Sequence, residues 1–348
     1  MDFECITTSE LRDLLPAHWE AGIPVMVESQ PGLGKSAVTA QAARRWNATF
    51  WDVRAALRHP VDFAGLPSVA RTDGHLLTEW AEPGFLPRGE GRHVLAMEEV
   101  NRAPLMTQNA LFQLVQEGRS GSYVLPAQTG ICALVNPIAD GGGVTALSPA
   151  LLNRWVHYTL SPDLDAWLRW AFGAGIAHPI MSYLRNNPKA LHEYSTTERA
   201  WPSPRTWHLL SRSLDAQPDP QYCARLAVAA VGKERGIQYA AHAQVWQHLA
   251  WDLDVLLTNP RAPIPSVDGQ GADQLYALST AVAYRATLHN IDRVMELTGR
   301  LPQEYAAYIV RTFSYVSGDD GGNGKTAGLQ LLASPSVVRW VAEHPELV

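Results

Sequence analysis

The sequence predicts an α/β protein: a parallel sheet with helices on both faces, followed by a mostly helical region. Short apolar runs alternate with helical stretches through residues 24 to 160, the rhythm of strand-helix units that cross over to build a parallel sheet. One of those runs passes straight into a glycine-rich turn and then a helix, the context in which such sheets hold a ligand at the carboxyl ends of their strands. Beyond residue 160 the strand-like runs stop, and Leu, Ala, Trp and Tyr recur at helical spacing.

Residues 8 to 21 read as an opening helix with Thr8 or Ser9 as its cap. PVMVES (24 to 29) is a short buried strand, and SAVTAQAARRW continues as a helix after the turn. Further strands are expected near ATFWDVRA (48 to 55), HVLAMEEV (93 to 100), GICALVN (130 to 136) and WVHYTL (155 to 160). Two segments interrupt this rhythm. In VARTDGHLLTEW (69 to 80), Asp73 and Gly74 form a hairpin turn signal between two short arms. The second, GRSGSYVLP (118 to 126), lies between a helix and the next strand. A Pro- and Gly-rich stretch, NPRAPIPSVDGQG (259 to 271), marks a boundary. The expected organisation is an α/β domain over residues 1–160, a helical domain over 161–258 and a helical C-terminal extension over 272–348.

A chain of 348 residues accommodates two or three packed units. Its 46% hydrophobic and 18% charged residues suit a folded protein and not a disordered one. With 28 Lys plus Arg against 34 Asp plus Glu, the net charge of -6 builds in no long-range attraction to nucleic acid or anionic lipid. The start, MDFECITTSELRDLL, has no basic segment followed by an apolar run, and no membrane-length apolar stretch occurs, so a cytoplasmic protein without a membrane partner is expected. Cys5, Cys132 and Cys223 lie too far apart for zinc-type spacing and read as reduced, mostly buried hydrophobes. Most of the twelve tryptophans, such as Trp167 with Trp170 and Trp246 with Trp251, fall in apolar helical contexts that suit core packing.

The chemistry concentrates in a few places. SQPGLGKS (29 to 36) matches a phosphate-binding loop except at its first position, where Ser29 replaces the usual glycine. In such a loop the backbone of Ser29, Gln30, Pro31, Gly32, Leu33 and Gly34 curls around phosphate, and the helix through Lys35, Ser36 and Ala37 offers its positive end. Lys35 can reach the β- and γ-phosphates of ATP, and the Ser36 hydroxyl can ligate Mg2+. A rival run, GGNGKT (321 to 326), has Asp319 where the first glycine belongs and no acidic strand after it, so it reads as a surface loop. The apolar run VLAM ends in Glu98 and Glu99, one carboxylate suited to the magnesium shell and the next to orienting an attacking water. Glu98 stands where Asp is more usual. Asn136, at the end of the next strand, offers a short amide that can reach the γ-phosphate and that water.

The run MEEVNRAPLMTQNALFQLVQEG (97 to 118), followed by ALVNP and SPALLNRW (148 to 155), resembles the MoxR branch of the AAA+ ATPases. The resemblance covers most of residues 22 to 215, with departures at Ser29, at Glu98 and in a Gly-rich detour, ADGGGV, before SPALLNRW. It implies a P-loop AAA+ module followed by a helical lid. Asn136 would be its first sensor, Arg154 the arginine that reaches a neighbouring subunit's γ-phosphate, and Arg205 in WPSPRTWHLL the second sensor. It also implies that the two interruptions are hairpins facing a pore or partner, so residues 64–85 with Trp80 and 118–126 with Tyr123 become candidate contact surfaces. The implied activity is ATP hydrolysis in a homo-oligomeric ring, most often a hexamer, that remodels or activates a partner protein, in some relatives one carrying a von Willebrand factor A domain. Two alternatives stand beside it. A nucleic-acid or defence-system motor has the acidic balance against it, and a nucleotide-dependent scaffold with little hydrolysis is what Ser29 and Glu98 would permit.

Overall fold

The computed structural model describes residues 5–72, 75–140, 143–248, 253–259, 261, 262, 264, 272–313 and 327–347. It divides into two compact units, Met1–Asp163 and Leu164–Val348. The expected turn at Asp73 and Gly74, the run GGNGKT and most of NPRAPIPSVDGQG lie outside the described residues.

In the first unit the chain forms β1 (Cys5–Ile6), α1 (Thr8–Glu20), β2 (Val25–Glu28), α2 (Lys35–Arg45), β3 (Ala48–Arg54) and α3 (Pro60–Ala64). A hairpin of β4 (Leu66–Thr72) and β5 (His75–Ala81) comes next, then β6 (Arg92–Glu98) and α4 (Leu105–Glu117). A second hairpin, β7 (Arg119–Ser120) and β8 (Tyr123–Val124), leads to β9 (Thr129–Val135), α5 (Pro149–Leu152) and β10 (Val156–Leu160). Six strands pair in the order β1-β10-β2-β9-β6-β3, every pair parallel. This is the α/β architecture the sequence predicts.

Alternation along the strands builds a core on each face. Val25 and Val27 of β2, Val94 and Ala96 of β6, and Cys132 and Leu134 of β9 pack with Leu11, Leu15 and Trp19 of α1 and Val38 and Ala42 of α2. Their strand neighbours Met26, Leu95, Met97, Ala133 and Val135 face the other way, onto Leu111, Leu114 and Val115 of α4 and Leu151 of α5. Each fully buried Leu or Val of this kind stabilises by about 1.5–3 kcal/mol relative to exposure.

One local expectation is corrected, and one strand is added. The cap of α1 is Thr7, not Thr8 or Ser9: its hydroxyl accepts from the Glu10 amide at 3.2 Å, and its own amide donates to the Glu10 carboxylate at 2.9 Å. Glu10 closes this reciprocal box because it lies three residues beyond Thr7. Strand β1 was not expected, since its two residues are too few to show a period; pairing with β10 creates it.

The two hairpins join at their base. Ser120 Oγ donates to the Phe63 carbonyl at 2.6 Å, and Ser122 Oγ to the Trp80 carbonyl at 3.2 Å. Gly121 sits at φ 61°, and a Cβ there would lie 2.7 Å from the Ala64 carbonyl oxygen, so the contact requires glycine.

The second unit contains helices α6 (Leu164–Gly173), α7 (His178–Asn186), α8 (Pro204–Ala216), α9 (Cys223–Val231), α10 (Lys233–His248) and α11 (Leu253–Thr258). They continue with α12 (Ala272–Arg285), α13 (Ile291–Thr298), α14 (Gln303–Phe313), α15 (Ala327–Leu332) and α16 (Pro335–Glu343), and no strand occurs among the described residues here. Trp167, Tyr183, Trp207 and Tyr239 centre one cluster, and Leu275, Val294, Ile309 and Phe313 another. Among the described residues, no helix is long and apolar enough to cross a membrane.

Candidate functional site

The site forms at the carboxyl ends of β2, β9 and β6. Past Glu28 the Ser29 amide donates to the Val135 carbonyl at 3.3 Å, prolonging the β2–β9 pairing before the loop leaves the sheet. Gly32 and Gly34 both adopt φ 89°, a left-handed conformation that side chains resist. Gly34 caps α2 without a side-chain bond, and the first turn of that helix carries no acid. The amides at the positive end of α2 are therefore disposed toward an anion.

Lys35 opens this helix and folds back over the loop. Its Nζ donates to the Ser29 carbonyl at 2.7 Å, to Ser29 Oγ at 3.0 Å and to Asn136 Oδ1 at 2.9 Å. The fold thus brings together three expected site residues, one of them a hundred and one positions away from Lys35 in the chain. Asn136 arrives because β9 lies between β2 and β6. Ser29, the departure from the usual glycine, is 2% exposed and gives the lysine an additional oxygen partner.

Glu98 ends β6 beside the start of α2. Burial pushes its carboxyl above the usual carboxylate range; a hydrogen bond from Ser36 pulls it back, the Asp52 carboxylate raises it, Lys35 lowers it and Glu99 raises it. Ser36 and Glu98 thereby set a hydroxyl and a carboxylate side by side in a half-buried setting, where a nearby cation would favour the charged carboxylate.

Glu99 continues the ladder through its amide, which donates to the Leu134 carbonyl at 2.8 Å. Its backbone then turns left-handed, at φ 55° and ψ 38°. Only Asn47 shares a positive φ among the described non-glycine residues, and asparagine tolerates that conformation far better than glutamate does. Non-glycine strain of this kind concentrates at working sites. The Glu99 carboxylate meets Arg102 at 3.4 Å.

Asn101, Arg102 and Asp52 were not singled out from sequence. The first two lie in the NRAP run one residue beyond the acidic pair, which was the available signal. Asp52 joins the site only because β3 pairs with β6 and sets Asp52 opposite Ala96.

Arg154 follows α5 and lies against α4 of its own chain. Its Nε and Nη2 donate to Gln116 Oε1 at 3.0 and 2.8 Å, Nη1 bonds the Ala150 carbonyl, and the guanidinium stacks 3.9 Å from the Phe112 ring centre. None of those partners belongs to the loop or the acidic strand. In the second unit Arg205 is exposed in the first turn of α8, behind a Ser203–Thr206 capping box and Pro204.

The two expected contact surfaces differ. Every residue of β5 is exposed, and Leu66, Val69, Leu76 and Trp80 stand out, the last at 44% exposure. Tyr123 corrects its expectation: it is 3% exposed, packs in the core under its hairpin, and its hydroxyl donates to the Pro87 carbonyl. A large ring with one polar atom and a carbonyl within reach is more stable inside than in solvent.

No family model matches the chain, and no curated protein does. Among solved structures, the chain is similar to the RuvB Holliday junction branch migration motor of Thermotoga maritima, at 14% identity over 79% of this chain and 80% of that one, with TM-score 0.39. A point mutant of the same motor gives 14% identity, the same coverage and TM-score 0.40. NtrX from Brucella abortus in complex with ATP gives 17% identity over 88% of this chain and 67% of that one, with TM-score 0.33. Likenesses at this level do not bear on the roles of individual residues.

Proposed function

We propose that this chain is an AAA+ ATPase of the MoxR-like kind, binding ATP with Mg2+ at the loop of residues 29–36 and hydrolysing it to remodel a partner protein. The observation that supports this most is the meeting of Lys35, Asn136 and the Ser36–Glu98 pair at one end of the sheet, with a strained Glu99 beside them.

The residues present fit both groups. Left-handed glycines and a start of α2 with no side-chain cap suit phosphate, and Ser36 with the half-buried Glu98 would hold Mg2+, leaving its other positions to phosphate oxygens and water. When bound, Mg2+ supplies positive charge to the β- and γ-phosphate oxygens. Lys35 would exchange its bonds to Ser29 and Asn136 for charge-assisted bonds to phosphate. Asn136, released from Lys35, would meet the γ-phosphate and the attacking water, and Glu99 would orient that water and take its proton. The roles that the resemblance implies for Arg154 and Arg205 belong to the same reading. So do a homo-oligomeric, six-membered ring and a partner with a von Willebrand factor A domain.

A scaffold with slow hydrolysis is a second reading, favoured by the Ser29 hydroxyl 3.0 Å from Lys35. Phosphate release with and without DNA separates these readings from each other and from a nucleic-acid motor. Lys35→Ala should weaken ATP binding by roughly tenfold to a hundredfold, the value of one charge-assisted hydrogen bond, whereas Lys325→Ala should leave it unchanged. Glu99→Gln should retain ATP while slowing hydrolysis about a hundredfold or more. Equal binding by the wild type and Lys35→Ala would refute the assignment.

A further inference from the structure

Asn101 lies in the short turn that follows Glu99, is 4% exposed and bonds to two separated stretches of chain. Its side-chain amide donates to the main-chain carbonyl of Asn136 at 2.7 Å. Its own carbonyl accepts from the Thr145 amide at 2.7 Å and from the Thr145 hydroxyl at 3.1 Å. Gln108 of α4 completes the group, donating to the Ala103 carbonyl at 2.9 Å and to Thr145 Oγ1 at 3.1 Å.

The bond to Asn136 falls where the sheet ends. The β2–β9 pairing finishes with Val135 opposite Glu28 and the Ser29 amide on the Val135 carbonyl. Asn136 is one residue past that ladder, followed by a proline that has no amide to donate. The Asn101 amide supplies a donor to its carbonyl there. The other end of Asn136 is its Oδ1, 2.9 Å from Lys35 Nζ. Asn101 therefore holds the main chain of the residue whose side chain meets Lys35, and does so from the turn that carries Glu99. A carbonyl accepts and cannot donate, so the contact requires the NH2 group of Asn101 to face it. Asn101 Oδ1 then points away with no hydrogen-bond partner among the described residues, a cost in a buried amide that packing alone does not require.

We propose that Asn101 is a positioning residue for ATP hydrolysis: through the Asn136 carbonyl it fixes the Asn136 carboxamide relative to Lys35 and Glu99. This rests on the hydrolytic reading above. The Asn101 amide is taken up by the Asn136 carbonyl and the residue is buried, so its effect falls on the geometry of the attack, where small displacements are costly, rather than on nucleotide affinity.

The test uses the full chain with Asn101→Leu, Asn101→Ala, Asn136→Ala, the double variant Asn101→Leu/Asn136→Ala, and Thr145→Val. Thr145→Val removes a neighbouring hydroxyl from the same polar group but leaves both the Thr145 amide bond and the Asn101–Asn136 bond in place. Each is read by thermal melting, ATP titration and steady-state phosphate release. Both Asn101 variants should lower kcat by roughly tenfold to a hundredfold while KM for ATP stays within about threefold. The double variant should be no slower than Asn136→Ala, since both changes disable one device. Thr145→Val should melt earlier yet keep the wild-type kcat. Wild-type kcat in the Asn101 variants, losses that add in the double variant, or an equal kcat loss in Thr145→Val would each overturn the role. If the wild type releases no phosphate above the Lys35→Ala baseline, the hydrolytic reading itself fails and takes this role with it. That result is distinct from an active wild type matched by Asn101→Leu, which removes the positioning role alone.

Discussion

Replacing Glu99 by glycine and by alanine separates its backbone strain from its chemistry. Its φ of 55° and ψ of 38° place it in the left-handed region, where a residue with a Cβ pays about 1–2 kcal/mol. Both variants lose the carboxylate and the 3.4 Å contact with Arg102, an exposed pair worth about 0.2–1 kcal/mol. Both retain the Glu99 amide on the Leu134 carbonyl and the Arg102 amide on the Glu99 carbonyl, at 2.8 and 2.9 Å. What differs is that alanine keeps the strain, whereas glycine escapes it and gives back about 0.5–1 kcal/mol through its freer unfolded chain. Glycine should thus be the more stable variant by roughly 0.5–1 kcal/mol, the reverse of their ranking within regular elements. For a unit of this size that is a rise of about 1–4 °C in melting temperature, measured by differential scanning fluorimetry without nucleotide. Phosphate release should fall about a hundredfold or more in both. A glycine variant that melts below the alanine one would refute the strain argument, and wild-type turnover in either would refute the role of the carboxylate.

Arg154→Ala should bind ATP almost normally and hydrolyse it poorly, because its contacts with Gln116, Phe112 and Ala150 tie it to its own α4 and α5 and to none of the phosphate-loop residues. Mixed with Lys35→Ala chains it should recover part of the activity, as a head-to-tail ring sharing its sites requires; full activity of Arg154→Ala alone, or of a strictly monomeric protein, would count against a shared site. The cysteines give a prediction about pH. Burial pushes the Cys132 thiol up to about 12 and raises Cys223 in the same direction, whereas Cys5 is exposed. Alkylation of the folded protein at pH 8.5, read by mass spectrometry, should modify Cys5 alone, with the other two reacting only after denaturation. Because the folded Cys132 pKa lies above its unfolded value of about 8.5, this thiol's contribution to stability is complete below that pH and is lost as pH climbs toward 12. Rapid labelling of native Cys132 would show that β9 is not buried as described.

What the sequence by itself determined was whatever local chemistry dictates. A glycine-rich turn between an apolar run and a helix, alternation of short strands with helices, two carboxylates closing an apolar run, and a hairpin turn signal at Asp73 and Gly74 each depend on residues within about ten positions of one another. Those features were legible down to Lys35, Ser36, Glu98 and Glu99. Even there the α1 cap was misplaced by one or two residues, because Thr7, Thr8 and Ser9 compete closely for the position and the reciprocal bond to Glu10 decides. Tertiary structure alone decided the rest. Strand order set β9 between β2 and β6 and so carried Asn136 to Lys35. Register brought Asp52 toward Glu98, and the turn after β6 gave Glu99 its left-handed backbone and Asn101 its grip on Asn136. Tyr123 and Trp80, two aromatics on hairpins, looked alike as strings of letters, yet one is sealed under its loop with a carbonyl for its hydroxyl and the other stands in solvent. Contacts between distant positions depend on which strands pair and in what register, and no periodicity within a single segment encodes that choice.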